Sequence, residues 1–390
     1  IYVSDKVLIA GGTKKKEAHK KHIEQISNDI IFFDDGLPDA SCTPMEELAR
    51  AYRRIFTRKG RWQIMNLTSE LGDERFRETI SSMLNDNRGM STSLSDICIT
   101  RGSQMAFFLT AHCLFKKGDL VLVENPGFKA AWETFEHAGA TLIPIAVDQD
   151  GINIQQVEEV LKKETIKAIY LTPHHQYPTT VTLSLARRLR LIELSNTYNF
   201  TLIEDDYDNE YHFTQRPVMP ISAHEEAENY VYIGTLSKLI APAVRIGYIV
   251  SSPRFIAQIA DLRRIVDRQG DTIMELSILE LILSGDIRRH RKRMLSYYEK
   301  KRDYFSELLD YYMKDKVTYR KPDGGLAFWV QPIQAVDLAH VKKQVNAKYV
   351  SFYTPERFSF DETITGIRLG YASLTEEKLE EGLRILSKHL

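Results

Sequence analysis

The run Gly234–Val250 (GTLSKLIAPAVRIGYIV) sets one lysine, Lys238, just after the hydroxyls of Thr235 and Ser237 and seven positions before Arg245. A primary amine next to hydroxyl and guanidinium donors is what an aldehyde cofactor carrying a phosphate requires. The amine forms a Schiff base, while the hydroxyls and the guanidinium hold the phosphate dianion. A lysine taken alone is ordinarily a solvated side chain. The reading therefore depends on what the rest of the chain brings to the same place.

A second segment, Thr201–Glu210 (TLIEDDYDNE), begins apolar and runs directly into acids, the pattern of a buried strand ending at a polar rim. Side chains alternate along a strand, so Ile203, Asp205 and Tyr207 share one side, and Glu204 and Asp206 the other. Ligands in open α/β sheets sit at the carboxyl ends of the strands, which aims Asp205 and Tyr207 at a bound molecule. A carboxylate there can keep a pyridine nitrogen protonated, and a tyrosine can meet a ring hydroxyl oxygen. In Asp96–Leu109 (DICITRGSQMAFFL) a short strand breaks at Gly102, with Ser103 as the expected N-cap of an apolar helix. The free N–H groups and dipole of that helix start favour an anion.

These segments stand in one order with FDDGLPD (Phe33–Asp39), VENPGF (Val123–Phe128), TPHHQYPT (Thr172–Thr179), GGLAFW (Gly324–Trp329) and IRLGYA (Ile367–Ala372). Together they resemble the aminotransferase fold of pyridoxal-phosphate enzymes, fold type I. Within it they look most like the effector domain of MocR-type regulators of the GntR family. The resemblance implies an α/β architecture: a large lobe with a mainly parallel sheet flanked by helices, plus a small α+β lobe. It also implies pyridoxal 5′-phosphate as cofactor, with Lys238 as the Schiff-base lysine, Asp205 as the pyridinium partner and Tyr207 at the ring oxygen. Phe128 would stack on the ring and His175 would contact it. Gly102, Ser103, Gln104, Thr235, Ser237 and Arg245 would surround the phosphate. Arg368 would grip the substrate carboxylate, and Gly36 and Leu37 would also bind the substrate. Two positions depart from the family's pattern. Leu67 stands where related sequences carry a tyrosine that reaches the partner subunit's phosphate, and Thr179–Thr180 follows Pro178 where a glycine usually closes the loop.

The chain has 390 residues, enough for two lobes, since single cores stop growing near about 250–300 residues. With 43% hydrophobic and 27% charged residues and a formal net charge of −1, nothing global points to nucleic acid or an anionic membrane. Cys42, Cys98 and Cys113 have no metal-ligand spacing and, as scattered thiols, suit a reducing cytoplasm. The adjacent His174 and His175 lack suitably spaced ligands for zinc. No apolar run is long enough to span a bilayer.

The chain opens on Ile1, and Ile1–Asp5 resembles the last strand of a winged-helix wing. The lysines at 14–16, 20 and 21 then read as a linker. The expected organisation is a linker over 1–27, an N-terminal segment over 28–60 packing on the small lobe, a large domain over 61–285 and a small domain over 286–390. Strands are expected at Ile97–Thr100, Leu120–Val123, Thr141–Ala146, Lys167–Leu171, Thr201–Glu204, Tyr230–Ile233 and Ile246–Val250. Helices are expected at Pro44–Arg58, Phe128–His137, Gln155–Lys163, Leu183–Asn199, Pro253–Asp267 and Asp286–Lys314. The resemblance leaves two functions open. One is an effector-sensing domain that forms aldimines with an amino acid or amine, acting on DNA through a winged-helix module upstream of this chain. The other is a free-standing aminotransferase acting on an amino acid and a 2-oxo acid. Homodimerisation is implied by the family in either case.

Overall fold

The computed structural model describes residues 30–57, 66–213, 218–360 and 364–390. The strand expected at Ile1–Asp5 and the basic linker lie outside the described residues.

An eight-stranded sheet forms the large lobe. Its strands are β2 (Ile97–Thr100), β3 (Leu120–Asn125), β4 (Thr141–Asp148), β5 (Gly151–Ile152), β6 (Ile166–Leu171), β7 (Thr201–Asp206), β8 (Tyr230–Thr235) and β9 (Gly247–Val250), in the order β2-β9-β8-β7-β6-β3-β4-β5. The run from β8 through β7, β6 and β3 to β4 is parallel, whereas β9 is antiparallel to both its neighbours. Central strands buried on both faces read as continuous apolar runs, and β3, β6 and β7 do so until β7 meets its acids.

Helices cover both faces. Ser103–Leu114 (α3) and Lys129–His137 (α4) pack Phe107, Leu109 and Phe135 onto Val121, Tyr170 and Ile203. Ile154–Leu161 (α5) and Leu185–Tyr198 (α6) cover Leu122, Ile169 and Leu202 on the reverse. Side-chain caps open several helices: Asp73 on Phe76 N for Glu74–Arg88 (α2), Asn153 on Gln156 N for α5, and Ser252 on Phe255 N for Pro253–Val266 (α7). Helix α3 differs from the expectation. Its N-cap is Gly102, not Ser103, and makes no side-chain capping bond, because the chain leaves β2 at a left-handed glycine (φ 76°) that puts Ser103 one position inside the helix.

Asp286–Met313 (α9) leads into the small lobe. There an antiparallel sheet, β10 (Val317–Tyr319), β11 (Ala327–Pro332) and β13 (Ile367–Gly370), packs against α9 and Glu376–Leu386 (α11), following Leu338–Asn346 (α10). Of the aromatic pairs Tyr297–Tyr298, Tyr304–Phe305 and Tyr311–Tyr312 along α9, Tyr298 and Phe305 enter this core and Tyr311 is exposed.

The leading segment divides between two cores. Ile31–Phe33 (β1) pairs in parallel with Val350–Phe352 (β12) and sends Ile31 and Phe33 into the small-lobe core. The helix Met45–Thr57 (α1) instead places Ala51 in a large-lobe cluster with Phe76 and Ile278, packing on Thr272–Leu283 (α8). Helix α8 is absent from the sequence expectation. It is apolar on most sides and so lacks the one-sided stripe that marks a surface helix.

Candidate active site

Lys238 follows β8 in a turn held by the bond from Leu236 N to Ile246 O (3.0 Å) and by Tyr211, whose hydroxyl donates to the Lys238 carbonyl at 2.8 Å. The amine lies 4.5 Å over the centroid of the Tyr207 ring. Among the described residues it makes no hydrogen bond or ion pair. Loss of water lowers its pKa below the usual lysine value, and the nearby Arg368 adds to this while Asp208 opposes it. A lysine held closer to its neutral form is a better nucleophile.

Strand alternation places Asp205 and Tyr207 as expected, on the opposite side from Glu204 and Asp206. Asp205 is 3% exposed. Its Oδ2 accepts from the Tyr170 hydroxyl at 2.8 Å, while Oδ1 is buried without a hydrogen-bond partner. Burial pushes the carboxyl up to about 7, with the Tyr170 bond working against the shift. Tyr207 donates its hydroxyl to the His175 carbonyl at 2.8 Å and lies 3.4 Å from Arg368 Nη2. His175 thus meets Tyr207 through its backbone. Its imidazole turns to Asp208 (Nδ1 to Oδ1, 2.8 Å) beneath Gly324, where an added Cβ would come within 2.3 Å of Nε2.

The anion cradle gathers from two directions. Gly102 opens α3, so the backbone N–H groups of Ser103 and Gln104 lie at a helix start. Arg245, after β8, approaches so closely that a Cβ on Gly102 would lie 2.8 Å from its Nη2; the same nitrogen donates to Arg101 O at 3.1 Å. The two hydroxyls of the lysine run have different fates. Thr235 donates to Ile246 O (3.0 Å) and accepts from Ser237 N (3.1 Å), shaping the turn. Ser237 Oγ is buried and has no partner. The Gln104 side chain points away, donating to Thr134 Oγ1 at 2.8 Å, which leaves its backbone as the part at the cradle.

Arg368, on β13, is 0% exposed. Among the described residues no carboxylate lies within ion-pair distance of it. Backbone carbonyls orient it instead: Nε donates to Asp35 O (2.9 Å) and Nη1 to Pro178 O (2.8 Å), while its guanidinium lies 4.9 Å over the Tyr177 ring. Gly36 is adjacent, since an added Cβ would sit 3.4 Å from Nη2; Leu37 is exposed. Phe128, at the start of α4, meets Tyr177 edge-on (5.1 Å, 78°).

Thr180 takes the left-handed conformation (φ 64°) that a glycine would supply, and its N–H closes the loop on Gln176 O at 2.7 Å. The turn geometry survives without the glycine. Leu67 is exposed. Sequence reasoning missed Tyr170, Asp208 and the full part of Tyr177. The apolar run Ile166–Leu171 hides a lone tyrosine, and only the pairing of β6 with β7 shows what it faces.

The chain matches the family described as Aminotransferase class I and II over residues 38–386. It belongs to that family. It is 28% identical to aromatic-amino-acid aminotransferase 1 of Thermococcus litoralis over 99% of this chain and 93% of the relative. It is 27% identical to the probable rhizopine catabolism regulatory protein MocR of Rhizobium meliloti over 92% of this chain and 72% of that protein. Among solved structures, Pyrococcus horikoshii kynurenine aminotransferase in complex with PMP superposes with a TM-score of 0.87 at 27% identity, covering 100% of this chain and 96% of that one. The architecture of this member of the class I and II aminotransferase family is that of fold type I.

Proposed function

We propose that this site binds pyridoxal 5′-phosphate and moves an amino group between an amino acid and a 2-oxo acid. One observation carries the reading. A buried aspartate oxygen without a partner shares a strand side with Tyr207, whose ring lies beneath an unpaired, desolvated lysine. Such a constellation costs stability unless a ligand completes it, and a phosphate-bearing pyridine aldehyde fits each part. The PMP named in the P. horikoshii complex is the aminated form of that cofactor.

Bound there, the cofactor supplies a carbonyl that condenses with amines and a ring that withdraws electrons from the substrate α-carbon. The chain supplies the rest. Asp205 Oδ1 holds a proton on the ring nitrogen. Ser237 Oγ, the N–H groups at the start of α3 and Arg245 bind the phosphate. Arg368 still has N–H donors to spare and takes a carboxylate in a planar fork. Lys238 Nζ, disfavoured as a cation by its surroundings, takes and returns the proton of the substrate α-carbon. The proposed setting is a homodimer in a reducing compartment, which suits three cysteines that are all free.

A second reading has its own support. MocR and several HTH-type regulators share between a quarter and 27% of their aligned residues with this chain, so the same site can serve as the sensing domain of a regulator. Turnover separates the two readings. Purified protein loaded with pyridoxal 5′-phosphate should convert an amino acid and a 2-oxo acid catalytically if it is an enzyme, and bind the amino acid without sustained turnover if it is a sensor. Borohydride should fix the cofactor on Lys238, and Lys238→Ala should abolish that mass increment; fixation at another lysine would sink the assignment. Arg368→Lys should weaken the spectral response to an amino acid while sparing the response to its decarboxylated amine. Equal losses for both ligands would make Arg368 structural.

A further inference from the structure

Asp205 reaches the site with one oxygen already occupied. Tyr170, on the adjacent strand β6, donates its single phenolic hydrogen to Asp205 Oδ2 at 2.8 Å, and Oδ1 is left without a partner. The tyrosine has little freedom. It is 0% exposed, and its ring stands edge-on to Phe107 (centroids 5.9 Å, 88°) and Phe135 (5.4 Å, 73°). Register fixes the relation further, because Tyr170 is paired with Ile203 and so lies next to the strand position that leads into Asp205. A carboxylate pinned at one oxygen by a buried, rigid donor cannot rotate freely, and its two oxygens become inequivalent.

We propose that Tyr170 is a positioning residue for the cofactor's ring nitrogen: by occupying Oδ2 it leaves Oδ1 as the free acceptor and holds the shared proton on nitrogen. The inference rests on the pyridoxal-phosphate reading above. The proton count is unchanged throughout, since one proton lies between Oδ1 and the ring nitrogen. A hydrogen bond donated to a carboxylate stabilises its charged form, so the proton stays with nitrogen. Without that bond, burial and the neighbouring Asp206 and Asp208 all favour protonating Asp205, opposed by Lys238, and the proton moves to Oδ1. Tyr170 keeps its own hydrogen, because burial and Asp205 hold its pKa well above the usual tyrosine value.

Tyr170→Phe tests this, since it keeps the ring packing and removes only the hydroxyl. Wild type and variant would be titrated with pyridoxal 5′-phosphate labelled with 15N at the ring nitrogen, reading the dissociation constant and the nitrogen's chemical shift. Tyr170→Phe should weaken binding about tenfold, the scale of one hydrogen bond to a charged group, and move the shift toward unprotonated nitrogen. Tyr298→Phe, which removes a small-lobe hydroxyl that accepts from Asp39 N, should change neither. Unchanged affinity and shift in Tyr170→Phe would overturn the proposal and leave Tyr170 as packing alone. Should that variant fail to fold, 3-fluorotyrosine at position 170 decides. As a stronger donor of nearly the same shape it should move the shift further toward protonated nitrogen, and no movement would overturn the proposal. Wild type that takes up no pyridoxal phosphate would remove the cofactor reading itself, an outcome distinct from an unresponsive Tyr170→Phe.

Discussion

Two neighbouring carboxylates on β7 meet opposite fates. Asp206 is 1% exposed and faces a buried cation: Oδ2 accepts from Arg88 and from the Tyr232 hydroxyl, while Oδ1, 3.4 Å from His174 Nδ1, makes no hydrogen bond. Asp205, 3% exposed, has one neutral donor and one empty oxygen. Glu204 sides with Asp206, accepting from the N–H groups of Ile221 and Ser222 and from the Ser222 hydroxyl. One side of the strand meets a cation and several N–H and O–H donors of its own chain, whereas Asp205 on the other meets a single neutral donor. Buried charge therefore marks function where no cation of its own chain is bonded to it. Burial alone would have ranked Asp206 above Asp205 as a site residue.

The largest effect expected from this contrast is at Asp206. Asp206→Ala strips Arg88 of its buried counter-ion and should cost about 3–5 kcal/mol of stability, while the protein that still folds binds pyridoxal phosphate as before. Chemical denaturation checks the first part and a cofactor titration the second; a loss below about 1 kcal/mol would erase the distinction between the two sides. Asp205→Ala should do the reverse. Cofactor affinity should fall by a factor worth about 1.5–3 kcal/mol, while the cofactor-free protein loses less stability than Asp206→Ala does, its cost being the Tyr170 hydroxyl left without an acceptor.

The pH dependence of stability sharpens the same point. Asp205 is pushed up to about 7 in the folded, cofactor-free protein, whereas the unfolded chain titrates near about 4. Between those values the unfolded state has released the proton that the folded state retains, so rising pH favours unfolding, by up to about 1.4 kcal/mol per pH unit from this group. Glu124, also pushed up to about 7, and Glu210, up to about 8, add slopes of the same sign. Asp205→Asn should therefore reduce, but not abolish, the fall in stability between pH 4 and 7. An unchanged slope would mean Asp205 is ionised throughout. The smallest effect concerns the loop whose Pro178 carbonyl holds Arg368. Thr180→Gly relieves a left-handed β-branched residue and should stabilise by roughly 0.5–1 kcal/mol, read as a small rise in Tm; destabilisation would show that the buried threonine side chain outweighs the strain.

Much of this was legible beforehand. The strand Ile97–Thr100 was expected with its observed bounds, and the other expected strands differ by a residue or two at their ends, because an apolar run of four to six residues between turn signals is a local property; the two-residue edge strand β5 was not expected. The alternation that separates Asp205 from Asp206 needs only the period of a strand. Less legible were α8, whose apolar surface has no single face, and the cap of α3, where glycine conformation outweighed serine's preference for the cap. Helix α1 was expected on the small lobe and sits against α8, since a helix's stripe shows that it packs but not on what.

By itself the sequence determined which groups are available and on which side of their strand they stand: Lys238 after two hydroxyls, Asp205 in phase with Tyr207, Arg368 in a short apolar strand. It could not determine which of these groups would be satisfied. That was decided by partners distant in the chain and brought alongside by strand register and lobe packing: Tyr170 for Asp205, Arg88 for Asp206, the Asp35 and Pro178 carbonyls for Arg368. The reason is physical. Periodicity is a short-range consequence of backbone geometry, whereas whether a buried polar atom has a partner depends on every element that closes around it.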